Sequence, residues 1–344
     1  MESPLISILM PIHNAANTLA NAVDSIRCQT CNRWELIAAD DGSTDASLDI
    51  LKQHARLDKR IKALQLSRQG IVAALNAAAA RARAPLLARM DADDVALPER
   101  LEAQAAMFAD HAALALCGCR VRMSGPDLGS GRKRYEHWIN GLLRHEDITR
   151  ELFVECPLPH PTFMMRRQIF DAVGGYLDFG WPEDYDLVMR VWLAGGMMAK
   201  HDAVLLEWRH RPDRLSMTDE RYGDTAFRAL KRFYLHEAAA REQQRDTPSP
   251  IAAFPATFYQ WGAGEVGKKW LREWRPKPQA VVDINPRKIG RSIHGVPVIT
   301  PEELPPPGRV PIVIAVGAPG ARDEIRDWLT PHGYQEIRDY VFLA

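Results

Sequence analysis

Pro85-Leu86-Leu87-Ala88-Arg89-Met90-Asp91-Ala92-Asp93-Asp94 joins a strand-length apolar run to a knot of carboxylates, and its reading decides the fold. The same design recurs upstream. Residues 5–10 are a first apolar run, and residues 34–39 a second that ends in Asp40-Asp41-Gly42-Ser43-Thr44-Asp45; residues 61–66 are a third. Between these runs the period is helical. Leu19, Ala22, Val23 and Ile26 fall at i, i+3, i+4 and i+7, Leu48 and Leu51 recur after the acidic turn, and an alanine-rich stretch covers 71–82. Short apolar runs alternating with amphipathic helices predict an α/β layer around a mainly parallel sheet. Ligands bind beyond the carboxyl ends of such strands, where Asp40, Asp41, Asp91 and Asp93 would all stand.

Downstream, residues 101–108 are again helical, and an irregular stretch through Arg134 predicts a loop. A strand over 162–165, a helix over 183–194 closed by Gly195-Gly196, a strand over 203–208 and a long helix over 220–242 follow. Arg245-Asp246-Thr247-Pro248-Ser249-Pro250 is polar and proline-rich and predicts a linker. The expected organisation is one domain over 1–245, a linker over 246–255 and a second domain over 256–344, as suits a chain of 344 residues. Strands at 257–261, 280–284 and 311–316 and a helix at 266–274 predict that the second domain is small and Rossmann-like.

Composition narrows the function. Acids and bases balance at a formal net charge of zero, which gives no reason to expect nucleic acid as a partner. The apolar runs are strand-sized, short of the roughly twenty residues that span a bilayer. The N-terminal residues lack the basic flank of a secretory signal, which predicts a cytoplasmic protein. Five cysteines do not suit a disulfide framework; Cys28 and Cys31 with Cys117 and Cys119 would make a zinc site only if the two pairs met in space.

Asp91 and Asp93, one residue apart on a turn, are hard-oxygen ligands for a divalent cation with room left for phosphate. Taken with Pro11-Ile12-His13-Asn14, with Asp40-Asp41-Gly42-Ser43-Thr44-Asp45, with Ser25, Gln29-Thr30, Trp34-Glu35-Leu36, Asn76 and His160-Pro161-Thr162, and with Glu183-Asp184, the ordered set over about residues 4–220 resembles the family 2 glycosyltransferases of the GT-A fold. The resemblance implies an inverting, metal-dependent transfer of a sugar from a nucleotide-diphosphate donor, UDP by default, to a hydroxyl of a glycan or lipid-linked acceptor in bacterial surface glycan assembly.

Carried onto this chain, it implies that Pro11, Asn14 and Asp41 line the nucleotide pocket with Asp40 supporting the turn and Arg68 near the base. Asp91 would face ribose or metal, and Asp93 would hold Mn2+ or Mg2+ and, through it, the diphosphate. Asp184 would be the general base and Glu183 would orient the acceptor, with Asp186 a weaker substitute. Asp45 reads better as a helix-start residue. Trp181 and Trp138 offer faces for sugar stacking. Trp208-Arg209-His210-Arg211 resembles a late Tyr-Arg segment of the family, with Arg211 where a histidine ligand would be expected, leaving His210, Arg209 or Arg211 as candidates for metal or phosphate. The helix over 220–242 carries Arg228, Lys231 and Arg232 on one face, which suits either a cover or a peripheral contact with the inner membrane face.

Gly262-Ala263-Gly264-Glu265-Val266-Gly267, between a predicted strand and helix with Asp283 about twenty residues on, is a dinucleotide fingerprint in its proper context. With Ile293-His294-Gly295-Val296-Pro297-Val298 it resembles the nucleotide-sugar-binding domain of PglD-type sugar acyltransferases. Gly262, Gly264, Gly267 and Asp283 are therefore candidates for a second nucleotide site. Two other functions stay open: an NAD(P)-dependent oxidoreductase or epimerase using this fingerprint, which would leave Asp91, Asp93 and Asp184 unexplained, and a non-catalytic nucleotide-sugar sensor.

Overall fold

The computed structural model describes residues 3–125, 128–211 and 214–344. By packing, the chain forms two units, residues 1–148 with 156–222 and residues 149–155 with 223–344. The long C-terminal helix, Asp224–Glu242, thus packs in the second unit, although the sequence reading grouped it with the first domain.

The first unit holds strands β1 (Ile6–Ile12), β2 (Trp34–Asp41), β3 (Ile61–Leu66), β4 (Leu86–Arg89), β5 (Val95–Ala96), β6 (Leu114–Ser124), β7 (Met164–Arg166) and β8 (Met197–Arg209). They form one sheet in the order β3-β2-β1-β4-β7-β6-β8-β5. The first four strands run parallel, β7 is antiparallel to both its neighbours, and β6 and β8 are parallel to each other. Register brings the strand ends together: Ile12 lies opposite Asp40, Asp41 opposite Leu66, and Leu9 opposite Arg89. Helix Leu19–Arg27 buries the predicted stripe Leu19, Ala22, Val23 and Ile26.

The loop predicted up to Arg134 is mostly regular structure instead, with Pro126 and Asp127 outside the described residues. It holds β6, the eleven-residue strand Leu114–Ser124, and the helix Ser130–Gly141. The helix buries Ile139 alone, so it leaves no apolar stripe to read. Gly118 lets β6 pass Thr162, since a Cβ there would lie 2.8 Å from the Thr162 hydroxyl. Cys117 and Cys119 are buried on this strand, whereas Cys28 is exposed. Among the described residues the only Asp, Glu, His or Cys group close enough to share an ion is Asp91, Asp93 and Asp94, so the cysteine pairs form no zinc site.

The second unit has its own sheet of β9 (Tyr259–Trp261), β10 (Val281–Val282), β11 (Ser292–Ile293), β12 (Val296–Ile299), β13 (Ile312–Ile314) and β14 (Tyr340–Phe342), ordered β11-β12-β10-β9-β13-β14. Apart from the antiparallel β11, its strands run parallel in the sequence 3-2-1-4-5, the winding order of doubly wound sheets. The basic face of helix Asp224–Glu242 is used inside this unit. Arg228 and Arg232 bond the Glu273 carboxylate at 2.7 and 3.0 Å, and Lys231 donates to the Val154 and Leu343 carbonyls.

The glycine fingerprint has a clear mechanical division. Gly262 has φ of +113°, and a Cβ at Gly267 would lie 1.9 Å from the Gly262 carbonyl oxygen, so the third glycine lets the helix Glu265–Glu273 close onto the strand end. A Cβ at Gly264 would meet nothing within 4 Å. Gly267→Ala should therefore destabilise the second unit by about 1–3 kcal/mol through overpacking, while Gly264→Ala, at an ordinary φ of −82°, should leave the denaturant midpoint nearly unchanged. Equal midpoints for the two variants would refute this packing account.

Candidate active site

The carboxyl ends of β1, β2 and β4 open into a cleft of about 450 Å³, within the range of small-molecule sites. Pro11, Asp41, Arg68, Arg89, Asp91, Asp93, His160, Glu183, Asp184, Trp208, Arg211, Arg214 and Tyr222 are among the residues that line it.

On the strand-two side, Asp41 is fixed. Its Oδ2 accepts Nη1–H of Arg68 at 2.6 Å and the Gly70 N–H at 2.9 Å, and its Oδ1 accepts the Gln69 N–H at 2.7 Å. The carboxylate thereby holds the loop 68–70 against the turn at Gly42, where φ is +66° and an added Cβ would press on Arg68. Asn14 and Asp40 are not among the lining residues. Asn14, at φ of +49°, accepts the Thr44 N–H at 2.8 Å and donates its own N–H to the Ser43 hydroxyl, and buried Asp40 accepts the Ser43 N–H at 3.2 Å. Both residues shape the turn that carries Asp41. Asp45 accepts from the Ser47 N–H and hydroxyl and from the Ala16 N–H; the cap position of the helix is Ala46, so Asp45 ties the turn just before it.

The acids after β4 make the densest charge in the cleft. Asp91, Asp93 and Asp94 each offer an oxygen within 4.8 Å of the others. Asp91 accepts Nη2–H of the buried Arg89 at 2.6 Å and lies 3.4 Å from Arg214; burial pushes its carboxyl up, but these two guanidiniums outweigh that and hold it below the usual range. Burial and then repulsion from Asp91 push Asp93 up against the pull of Arg214 and Arg211, and Asp94 goes well up for the same first two reasons. Asp94 Oδ1 accepts the Arg209 N–H at 2.8 Å, while its buried Oδ2 has no hydrogen-bond partner. Three hard oxygen donors with one orphaned acceptor suit a divalent cation.

Comparison with known proteins follows this geometry. Residues 7–174 match the model for "Glycosyl transferase family 2". EpsE of Bacillus subtilis (strain 168), a glycosyltransferase by name, is 31% identical over 201 residues, which cover 56% of this chain and 69% of that one. The O-antigen biosynthesis glycosyltransferase WbnJ of Escherichia coli is 31% identical over 188 residues, covering 54% and 71%. The chain belongs to glycosyl transferase family 2. In three dimensions it is similar to S. aureus TarS 1–349, whose crystal structure is a complex with UDP-GlcNAc, at a TM-score of 0.56 and 18% identity over 70% of this chain and 67% of that one. That likeness places the first unit in the GT-A-like α/β class expected from its sequence.

In this family 2 glycosyltransferase the acidic pair opens the helix Glu183–Leu193. Glu183 is 1% exposed, and its Oε2 accepts the Tyr222 hydroxyl at 2.7 Å. Burial, then the neighbouring Asp184, push its carboxyl up to about 7. Asp184 is half-buried, lines the cleft, and accepts the Tyr185 N–H at 2.8 Å through Oδ1. Asp186 is wholly buried and tied to the Trp181 ring N–H at 2.9 Å and to Arg190 at 2.8 Å. Trp181 and Trp138 are not among the lining residues and pack on Phe179 and Tyr135. His210 also lies away from the lining, with its N–H on the Ser124 carbonyl.

Sequence reading missed Arg89, Arg214 and Tyr222 as site residues and read Trp208 only as part of a motif. Arg89 sat inside an apolar run; a lone arginine two positions before paired acids was the available signal. His160 was read only as a motif residue. It is buried, its Nε2 lies 2.8 Å from the Tyr176 hydroxyl, and burial and then Arg89 hold it well below its ordinary range, hence neutral. In the second unit, both oxygens of Asp283 serve the loop. Oδ2 accepts the Ala263 N–H and the Lys288 ammonium, each at 3.0 Å, and Oδ1 accepts the Asn285 N–H at 2.8 Å.

Glu183 sets a pH dependence. Its folded value stands above the ordinary 4.5, so between about pH 4.5 and 7 the unfolded chain releases a proton that the folded chain keeps. Its stabilising contribution is complete below that window and declines as pH rises through it, by at most about 1.4 kcal/mol per pH unit. Glu183→Gln, which keeps an acceptor for Tyr222, should flatten the stability profile there in urea unfolding at pH 5 and 7.5. A slope equal to wild type would mean that Glu183 ionises at its ordinary value.

Proposed function

We propose that this glycosyltransferase moves a sugar, with inversion, from a UDP-sugar to an acceptor hydroxyl in bacterial surface glycan assembly. The carrying observation is that Asp91, Asp93 and Asp184 line one cleft beyond the carboxyl ends of the parallel strands.

On this reading the nucleotide lies over Pro11 and the Asp41–Arg68 pair, with Asn14 and Asp40 holding the turn beneath. Asp93, with Asp91 and Asp94, would hold Mn2+ or Mg2+. When bound, that ion supplies positive charge to the departing diphosphate, whose negative charge grows in the transition state. Asp184 takes the proton of the acceptor hydroxyl as its oxygen bonds the anomeric carbon, and the electron pair of the breaking carbon–oxygen bond leaves on the diphosphate. Glu183, buried and bonded to Tyr222, positions the acceptor side. Two carboxyls in different surroundings thus separate into different roles.

The acceptor would be a glycan end or a lipid-linked glycan. No helix among the described residues is long and apolar enough to cross a membrane. The test is release of nucleoside diphosphate from UDP-, GDP- and dTDP-sugars with Mn2+, with Mg2+ and with chelator. Metal-dependent release from one donor supports transfer and identifies the base; no binding of any donor sinks it.

The open space at Gly264 supports a second nucleotide site in the C-terminal unit, as in the PglD-type likeness, with phosphate at the backbone of Gly262, Gly264 and Gly267 and with Asp283 bracing the loop. Calorimetry would then find a second nucleotide-binding event that survives Asp93→Ala; a single event abolished by that change refutes it.

A further inference from the structure

The loop that leads into the helix Glu183–Leu193 carries two aromatic rings. Phe179 is 52% exposed, and its ring centroid lies 5.2 Å from that of Trp181, with the planes tilted by 37°. The pair is braced from below. Trp181 Nε1–H donates to Oδ1 of the fully buried Asp186 at 2.9 Å, and Asp186 Oδ2 accepts Nε–H of Arg190 at 2.8 Å. Gly180, at φ of +78°, turns the chain between the rings and donates its N–H to Asp178 Oδ1 at 3.3 Å. The indole is thereby fixed, and Phe179 leans on it with half its surface open. Both ends of this loop meet the cleft: Glu183 and Asp184 line it, and Asp178 Oδ1 lies 3.7 Å from Nη2 of Arg221, another lining residue.

Arg221 faces three carboxylates, Asp219 at 3.5 Å, Asp178 at 3.7 Å and Glu183 at 4.0 Å. Its Nε and Nη1 are nonetheless buried without a hydrogen-bond partner. Buried N–H groups are ordinarily paired, so these two call for an oxygen from a ligand. That oxygen has to be uncharged. Three carboxylates around one guanidinium, with Asp184 beside them, repel a phosphate or a second acid. A neutral pyranose suits the whole rim: its C–H face packs on an aromatic ring, and its hydroxyl oxygens accept from N–H groups.

We propose that Phe179, backed by Trp181, is the platform on which the acceptor's terminal sugar lies, and that this sugar is a neutral pyranose with a hydroxyl on Arg221; this rests on the transfer reading above. Because the platform enters the chain just before Asp184, a ring held by its face turns its edge hydroxyls towards the base. The same rim rejects a prenyl phosphate or a uronic acid as the acceptor end. Specificity for the acceptor therefore resides in the loop before the base and in Arg221, apart from the acids that follow β4.

The donor that releases nucleoside diphosphate in the assay above is offered p-nitrophenyl glycosides of glucose, galactose, mannose and N-acetylglucosamine, with p-nitrophenyl glucuronide as the acidic comparison. Wild type should transfer to at least one neutral glycoside and not to the glucuronide. Phe179→Leu, apolar but without a ring face, should raise the KM for that glycoside about threefold to tenfold with kcat within about twofold. Phe179→Tyr should restore the wild-type KM, a distinction between ring and bulk that a merely structural role would not make. A KM equal to wild type in Phe179→Leu, or an equal loss in both variants, overturns the platform. Transfer to the glucuronide in preference to every neutral glycoside overturns the neutral acceptor. Donor cleavage without transfer to any glycoside overturns the proposal and leaves the donor reading standing, whereas a wild-type protein that neither binds nor cleaves any donor overturns the transfer reading itself.

Discussion

Asp184→Asn should lower the turnover of sugar transfer by about 10²–10⁴-fold while donor affinity stays within about twofold. Asparagine has the same shape, and its Oδ1 can still accept the Tyr185 N–H that Asp184 accepts at 2.8 Å. The bond to the helix start is therefore kept, while the carboxylate that accepts the proton is lost. Neighbouring acids offer no replacement. Glu183 is buried, and its Oε2 is taken up by the Tyr222 hydroxyl at 2.7 Å. Asp186 is fully buried and bonded to Trp181 and Arg190. Single-turnover transfer with calorimetry of donor binding separates the two quantities. A large loss of donor affinity with turnover intact would move Asp184 from proton transfer to donor positioning.

The parts of this site that could be read beforehand are those whose chemistry sits in one short segment. Asp91 and Asp93 follow directly from a strand end, and Glu183-Asp184 opens a helix whose apolar face is plain. The missed parts depend on distant segments meeting. Arg214 reaches Asp91 from the segment after β8, and Tyr222 reaches Glu183 across a separation of 39 residues. Nothing local to either residue states its partner. Asn14, which the resemblance implies lines the nucleotide pocket, also holds the turn through its left-handed conformation and its bonds to Ser43 and Thr44.

Elements followed the same division. The apolar runs of β1, β2 and β3 announce themselves, whereas in β6 glycine, cysteines and arginines interrupt the pattern. The helix Ser130–Gly141 carries Arg132, Lys133 and Arg134 with Ile139 as its one buried residue, so hydrophobic periodicity had nothing to detect.

Asp93→Ala should abolish metal-dependent donor cleavage, reducing it by about 10³-fold towards the rate with chelator, without weakening the fold. The contrast with Asp91 explains why. Asp91→Ala would leave the buried Arg89 facing a lost carboxylate, and a broken buried pair costs about 3–5 kcal/mol. Asp93 approaches Arg211 and Arg214 at 3.4 and 4.0 Å, and burial together with repulsion from Asp91 already pushes its carboxyl up. Deleting it relieves that repulsion, so the unfolding midpoint should hold or rise slightly while Mn2+ binding is lost. Thermal unfolding and Mn2+ titration of both variants test the division. If Asp93→Ala melts early and Asp91→Ala does not, the bracing role belongs to Asp93 and the metal assignment must be exchanged between them. If Asp93→Ala binds Mn2+ and cleaves donor as wild type does, the ion is not held by this cluster.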